Sequence, residues 1–291
     1  MSSLTDRLIE TGYAAGWALV RVLPLPVARS LFRAAADRAY RKNGPGTQRL
    51  RRNLARVVAA DRLEATVQAG LRSYARYWLE AFRLPSQSRE QFLAGFHMSP
   101  ANYGDLKSVI AEGRGVILAL PHVGNWDAAA AWVVSNDWPM VTVAERLKPE
   151  GVFDQFVAYR EKLGMEVLPL TGGERAPLDV LAERLGQGWA VALLGDRDLS
   201  RHGVEVEFFD GRTRMPAGPA ILAIRTGAPL FAVDLSFNET QTVAVLRRIT
   251  PPDEGPLDLR VKQTTQALAD AYAIGIAANP QDWHMLQKLW L

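Results

Sequence analysis

The sequence contains no cysteine and only four histidines, His97, His122, His202 and His284, in 291 residues. Without cysteine there is no disulfide, no thiolate metal site and no thiol nucleophile, a composition that fits a reducing compartment. Four scattered histidines make a histidine-rich metal cluster unexpected, so neither a metal nor a bound cofactor is expected. No run of about 18 uncharged apolar residues occurs, the length a membrane-spanning helix needs. The apolar stretch from Thr11 to Leu25 is interrupted by Arg21 and preceded by Asp6, Arg7 and Glu10, with no clean cleavage pattern after it. It therefore reads neither as a span nor as a secretory signal. Internal repeats and low-complexity linkers are lacking as well, so a single domain over 1–291 is the economical expectation.

What is present is enough apolar residue, 48% of the chain, to bury a full-sized core. The net charge of +3 conceals an asymmetry. Residues 1–60 carry eleven Lys and Arg against three Asp and Glu, a local balance of +8, and the remainder is at −5. A basic end of this kind is attracted to an anionic surface, nucleic acid or lipid headgroups. No aromatic-rich RNA motif or zinc-finger spacing accompanies it. The expected partner is thus an anionic membrane surface rather than nucleic acid, with the chain cytoplasmic and peripheral.

Up to Leu84 the pattern is helical, with stretches at 4–22, 27–42, 47–58 and 62–83 separated by Pro24, Pro26 and Asn43-Gly44-Pro45-Gly46. The last stretch bears Tyr74, Tyr77, Trp78 and Phe82 at helical spacing, which reads as core. From Gly113 onward short β-runs at Gly115–Leu120, Met140–Ala144, Val167–Leu170 and Ala190–Leu194 alternate with helical segments at 126–136, 150–163 and 176–187. Runs at Val204–Phe209, Leu230–Ser236 and Thr242–Ile249 follow, then a helix over Leu259–Ala278. The alternation predicts an α/β fold over 113–291, a largely parallel or mixed central sheet with helices on both faces, beneath an N-terminal helical layer over 1–84.

The sharpest local signal is Leu120-Pro-His122-Val-Gly-Asn125-Trp-Asp127, which follows a buried strand and opens a helix whose natural N-cap is Asn125. In open α/β sheets ligands gather at the carboxyl ends of strands. An imidazole titrates near pH ~6.5 and can take a proton from an alcohol at neutral pH, and a nearby carboxylate can orient it and stabilise its protonated form. Asp127 sits in the first helical turn, where an acid also suits the helix dipole. The His–Asp spacing alone has little specificity.

Other runs share the chain with this one in a fixed order. They include Gly12-Tyr-Ala-Ala-Gly-Trp17, Arg51-Arg-Asn-Leu-Ala-Arg-Val-Val58, Ser73-Tyr-Ala-Arg-Tyr-Trp78 and Thr142-Val-Ala-Glu-Arg-Leu-Lys-Pro149. Further along come Tyr159-Arg-Glu-Lys-Leu-Gly164, Pro169-Leu-Thr-Gly-Gly-Glu-Arg175, Gly195-Asp-Arg-Asp-Leu199, Phe208-Phe-Asp-Gly211, Met215-Pro-Ala-Gly-Pro-Ala220 and Asp282-Trp-His-Met-Leu-Gln287. Together they resemble the lysophospholipid acyltransferase superfamily, in the branch of the bacterial lipid A late acyltransferases. They are more similar still to the group that acylates phosphatidylinositol mannosides in mycobacteria and their relatives.

That resemblance implies an α/β domain with a hydrophobic groove for an acyl tail and an open cleft for coenzyme A. Acyl-CoA is the implied donor substrate, and a phosphatidylinositol mannoside-like glycolipid at the cytoplasmic face of the inner membrane the implied acceptor. His122 is the implied general base, with direct attack on the thioester and no acyl-enzyme. The wider superfamily gives the partner role to the acid here at Asp127. The mannoside group places a Glu where this chain has Asp196, one methylene shorter. Arg160 matches an arginine near phosphate or the reacting ester, and Glu145, Arg146 and Lys148 match residues at the mouth of the cleft. His284 is a further candidate facing the site. An acceptor resembling lipid A or a lysophospholipid, with acyl carrier protein as donor, stays open at this point, as does a non-catalytic lipid-binding protein on the same fold. The basic layer, with Trp17, Leu19, Val20, Leu23 and Leu31, is expected at the acyl-chain boundary of the membrane.

Overall fold

The computed structural model describes residues 16–145, 150–198 and 203–291. Among them, seven strands form one sheet in the order β1 (Phe96–Met98), β9 (Thr242–Ile249), β8 (Leu230–Phe237), β2 (Val116–Leu120), β5 (Ala190–Leu194), β3 (Met140–Ala144) and β4 (Glu166–Pro169). The β8–β9 pair is antiparallel and the other neighbours run parallel. The α/β alternation predicted from the sequence is therefore the architecture found, as a mixed sheet.

β2 explains why its sequence is an unbroken apolar run. All five of its residues are buried, because both faces are covered: Leu118 and Leu120 point to the side of the Trp126–Ser135 helix, Ile117 and Ala119 to the opposite side. On that opposite side the helices Pro177–Gly186, Gly218–Thr226 and Leu257–Ala278 pack on one another and on the sheet. β6 (Val204–Phe208) and β7 (Gly211–Met215) form a separate hairpin against the long Leu257–Ala278 helix.

Several elements were not foreseen: the helices Arg89–Ala94 and Pro100–Ala111, strand β1, and β7. β1 has three residues, too few for a period-2 pattern, and exists only because β9 offers it a parallel edge. The Arg89–Ala94 helix is announced by Ser88 and Gln91, which make a capping box.

The N-terminal layer consists of a helical segment at 16–22, then the helices Leu25–Lys42, Pro45–Leu54 and Ala60–Arg83. Part of the predicted 4–22 stretch lies outside the described residues. No described helix is long and apolar enough to cross a membrane.

Trp17 departs from its expected boundary position. It is 8% exposed, donates its indole N–H to the Phe82 carbonyl at 2.9 Å, and packs on the rings of Phe82, Phe156 and Tyr159. A large aromatic with a polar edge is best satisfied where its N–H finds a carbonyl inside the protein, and here that carbonyl is on the Ala60–Arg83 helix. Of the others expected there, Leu19 and Leu31 are exposed, and Val20 and Leu23 are half-buried; Val22, Leu25 and Val27 are further large apolar residues exposed on this layer. Trp17→Ala should lower the unfolding free energy by about 3–5 kcal/mol, measured by denaturant titration, whereas Val22→Ser should leave it nearly unchanged.

Candidate active site

The register of two adjacent parallel strands assembles the site. Leu120 of β2 lies opposite Leu194 of β5, and the Gly195 N–H closes on the Leu120 carbonyl at 2.8 Å. His122 and Asp196 each lie two residues past this pair, so the chain brings them side by side. The His122 Nδ1 is 2.6 Å from Asp196 Oδ1, and the His122 backbone N–H donates to Asp196 Oδ2 at 3.0 Å.

Asp196 is fully buried. Burial raises its carboxyl, but the neighbouring His122, its two hydrogen bonds and the Trp283 indole N–H together hold it below the ordinary value. An ionised carboxylate only accepts hydrogen bonds, so the His122 Nδ1 carries a proton, and in the neutral ring Nε2 is then the lone-pair nitrogen. The His122 side chain keeps 24% exposure.

Asp127 has other partners. Asn125 caps the helix as its identity suggests, its Oδ1 accepting from the Ala128 N–H at 3.0 Å. The cap fixes Asp127 in the first turn, pointing to the Ala60–Arg83 and Glu150–Lys162 helices. There Arg160 Nε donates to its Oδ1 at 2.7 Å and the Tyr77 hydroxyl donates to its Oδ2 at 2.9 Å. The carboxylate is 2% exposed and the Arg160 side chain 18%. Burial works against the charge on Arg160, but the attraction of Asp127 outweighs it and the guanidinium is held more firmly protonated than usual. Burial first, then the Asp127 charge, pushes the Tyr77 phenol well up, so it stays a donor.

Gly124 lets the His122 loop pass so close to β8. Its φ is +54°, and a Cβ there would meet the Leu235 backbone at 2.9 Å, so only glycine fits.

His284 is buried, 6% exposed, and its backbone N–H donates to the His122 carbonyl at 2.8 Å. Its ring stands among Tyr74, Tyr77, Trp126 and Phe237. Ser73 Oγ lies 2.6 Å from Asp282 Oδ1 and 3.0 Å from His284 Nε2. A hydroxyl has one proton; given to Asp282, it leaves the oxygen to accept from the His284 Nε2–H. His284 Nδ1 then has no partner among the described residues.

The cleft-mouth residues divide. Glu145 is exposed, with Arg197 Nη2 at 3.9 Å from its carboxylate. Arg146 and Lys148 lie outside the described residues, as does His202. No group of three or more metal-ligating side chains occurs among the described residues.

Beside the site runs an open apolar groove of about 850 Å³, walled by Trp17, Phe32, Leu71, Trp78, Phe82 and Leu286, among others. His122 is not among its walls. Tyr74 connects the two, lining the groove while its ring centroid stands 5.3 Å from that of His284. The aromatic stripe Tyr74, Tyr77, Trp78 and Phe82, read from the sequence as core, is thus partly a groove wall; Tyr77 alone of the four is fully inside.

Sequence reasoning passed over Tyr77 and Trp283 as functional side chains, and over Ser73 and Asp282. Their signal was present only as ordered blocks, because each acts on a partner at least 50 positions away.

Burial, and then the charge on His122, pushes the His284 imidazole down from 6.5 to about 3. The folded state therefore keeps it neutral where the unfolded chain is protonated, so its contribution to stability is lost as pH falls from about 6.5 towards 3. The loss approaches about 1.4 kcal/mol per pH unit. Unfolding titrations across that window should show a shallower acid slope in His284→Gln than in the parent; equal slopes would exclude His284 as the group responsible.

The profile of the family described as "Bacterial lipid A biosynthesis acyltransferase" matches residues 3–291. A relative from Mycolicibacterium smegmatis, named phosphatidylinositol mannoside acyltransferase, is 50% identical over 292 residues, covering 99% of this chain and 93% of the relative. A Mycobacterium tuberculosis protein of the same name is 44% identical over 293 residues, covering 100% of this chain and 91% of the relative. With a match over almost its whole length and relatives this similar, the chain belongs to the bacterial lipid A biosynthesis acyltransferase family.

Proposed function

We propose that this protein transfers a fatty acyl group from acyl-CoA to a sugar hydroxyl, of mannose, on a phosphatidylinositol mannoside, with His122 as general base. The acceptor is supported by the names of the two mycobacterial relatives. The base is supported by one observation above others, the 2.6 Å contact between His122 Nδ1 and the buried Asp196 carboxylate. In this reading His122 Nε2 takes the hydroxyl proton as the oxygen attacks the thioester carbon. The C–S bond breaks, the oxyester forms, and the coenzyme A sulfur leaves with the proton returned by the imidazolium. Asp196 stabilises that imidazolium while it carries the charge. A thioester is already an activated acyl donor, so the step requires neither a metal nor an enzyme nucleophile.

Asp127 acts in this reading by holding Arg160, whose guanidinium would face phosphate or the reacting ester. Glu145, Arg146 and Lys148 would meet hydroxyls and phosphates at the cleft mouth, and His284 would back the acceptor. Apolar chains of the lipid substrates would lie along the groove. The protein would work at the cytoplasmic face of the inner membrane, bound peripherally.

His122→Ala should lower acyl transfer by about 10²–10⁴-fold while acyl-CoA binding persists, followed as free thiol release from palmitoyl-CoA with phosphatidylinositol mannoside present. Asp196→Asn should depress turnover far more than substrate affinity. Asp127→Asn should also cost stability, about 3–5 kcal/mol, because it strands the buried Arg160 charge. Turnover at the parent rate in His122→Ala would sink the mechanism. Thiol release with a lysophospholipid or lipid A-like acceptor, and none with the mannoside, would move the acceptor.

Arg29, Arg33, Arg38, Arg41 and Lys42 are exposed on the layer that also exposes Val22, Val27 and Leu31. Each basic residue close to an anionic surface is worth about 1 kcal/mol, screened over a Debye length of ~10 Å at about 0.1 M salt. Co-sedimentation with phosphatidylinositol vesicles should weaken as salt rises yet keep a salt-resistant remainder. Replacing Arg38, Arg41 and Lys42 by Gln should remove the first component, and Val22→Ser with Leu31→Ser should reduce the second. Equal binding to neutral and anionic vesicles at low salt would rule out the electrostatic component.

A further inference from the structure

We propose that Trp283 is a positioning residue for the His122–Asp196 pair, its indole N–H holding the plane of the buried carboxylate so that one oxygen stays in line with the imidazole. The proposal rests on the catalytic reading of His122 given above.

Asp196 has two oxygens and three donors. Oδ1 faces His122 Nδ1, while Oδ2 takes both the His122 backbone N–H at 3.0 Å and the Trp283 Nε1–H at 3.1 Å. A carboxylate that loses a donor on one oxygen can rotate about its Cβ–Cγ bond to recover it from elsewhere. With Oδ2 loaded twice, tilting the carboxylate plane would strain two hydrogen bonds between groups closed to bulk solvent, since Asp196 and Trp283 are both fully buried. The other oxygen is thereby held in line with the His122 Nδ1.

Trp283 and its two chain neighbours, Asp282 and His284, also hold the other half of the pair. Trp283 bridges Val123 in antiparallel fashion, the His284 N–H donates to the His122 carbonyl at 2.8 Å, and the Gly124 N–H donates to the Asp282 carbonyl at 2.9 Å. Residues 282–284 therefore grip the loop of the base by backbone and its acid by side chain. Just beyond them Asn53, 2% exposed, ties the segment to the N-terminal layer through the Met285 carbonyl at 2.7 Å and the Gln287 carbonyl at 3.0 Å.

Two phenylalanines pack on the indole. Phe208 meets it edge-on at 6.0 Å and Phe209 lies at 6.2 Å. Phe209 has φ +52° at the first position of the two-residue turn between β6 and β7. Glycine is the residue suited to that position, and a bulky side chain there is a backbone outlier. The strained turn is what brings the ring of Phe209 against Trp283.

Two variants separate the donor from the bulk. Trp283→His keeps a ring nitrogen three bonds from Cβ, as indole has, and Trp283→Phe has none; both leave a cavity. We expect kcat for acyl transfer to fall about tenfold in Trp283→Phe with KM within about twofold of the parent, and to fall markedly less in Trp283→His. Pairing Trp283→Phe with Asp196→Asn should cost little beyond Asp196→Asn alone, because a residue acting through another shows no further effect once that partner is disabled. Equal losses in the two Trp283 variants, or a full tenfold loss on the Asp196→Asn background, would overturn the proposal. Where the cavities prevent folding, the parent and Asp196→Asn are compared by NMR. Of the eight tryptophan indole N–H resonances, that of Trp283 should move most and lose most exchange protection; an unmoved resonance refutes the contact. Failure of the catalytic reading is recognised separately, by parent-like turnover in His122→Ala and Asp196→Asn.

Discussion

The parallel pairing of β2 with β5 is the constraint on which the site depends. Parallel strands present their carboxyl ends at one edge of a sheet, and their hydrogen-bond register fixes which residues past those ends meet. Here Leu120 opposes Leu194, the Gly195 N–H closes the ladder on the Leu120 carbonyl, and His122 and Asp196 emerge at equal distance from it. A slip of one residue would send Asp196 to the opposite face. The apolar runs of both strands hold that register, because every residue of β2 is buried and any slip would disturb a covered face.

Two carboxylates were candidates for the histidine, and burial sorted them. Both are removed from water, so each must be satisfied by the donors nearest to it. Asp196, at the end of a neighbouring strand, finds the imidazole, a backbone N–H and an indole N–H. Asp127, in the first turn of the following helix, finds Arg160 and Tyr77. The second arrangement reaches in two directions, since Tyr77 belongs to the N-terminal layer and Arg160 to the helix between β3 and β4. A charge pair of this kind stabilises less than its Coulomb attraction suggests, because desolvation opposes it, yet breaking it leaves a buried charge uncompensated. Its effect is to lock three helices together around the site.

The N-terminal layer has two characters that composition alone merges. Its inner side is aromatic and shaped into a groove, with Trp17 turned inward to meet the Phe82 carbonyl. Its outer side keeps exposed cations, Arg29, Arg33, Arg38, Arg41 and Lys42 among them, and a few exposed aliphatic residues. Part of its basic excess is already paired, as in Arg51 with Glu64 and Arg72 with Asp37. Only the unpaired remainder is free to act at long range.

The sequence by itself determined the α/β class, the strands β2, β3 and β5, the Asn125 cap and the candidacy of His122. Each rests on local pattern: buried runs of five residues, helical periodicity, and a capping residue ahead of an apolar helix. Ordered blocks along the chain also carried the family. The tertiary structure decided what local pattern cannot hold. Asp196 partners His122 across 74 positions, and Trp283 reaches Asp196 across 87. Trp17 is inside rather than at a boundary, and β1 exists only beside β9. Pairings over such separations depend on sheet register and on which donors remain near a buried charge. Both are properties of the assembled fold, and no spacing along the chain encodes them.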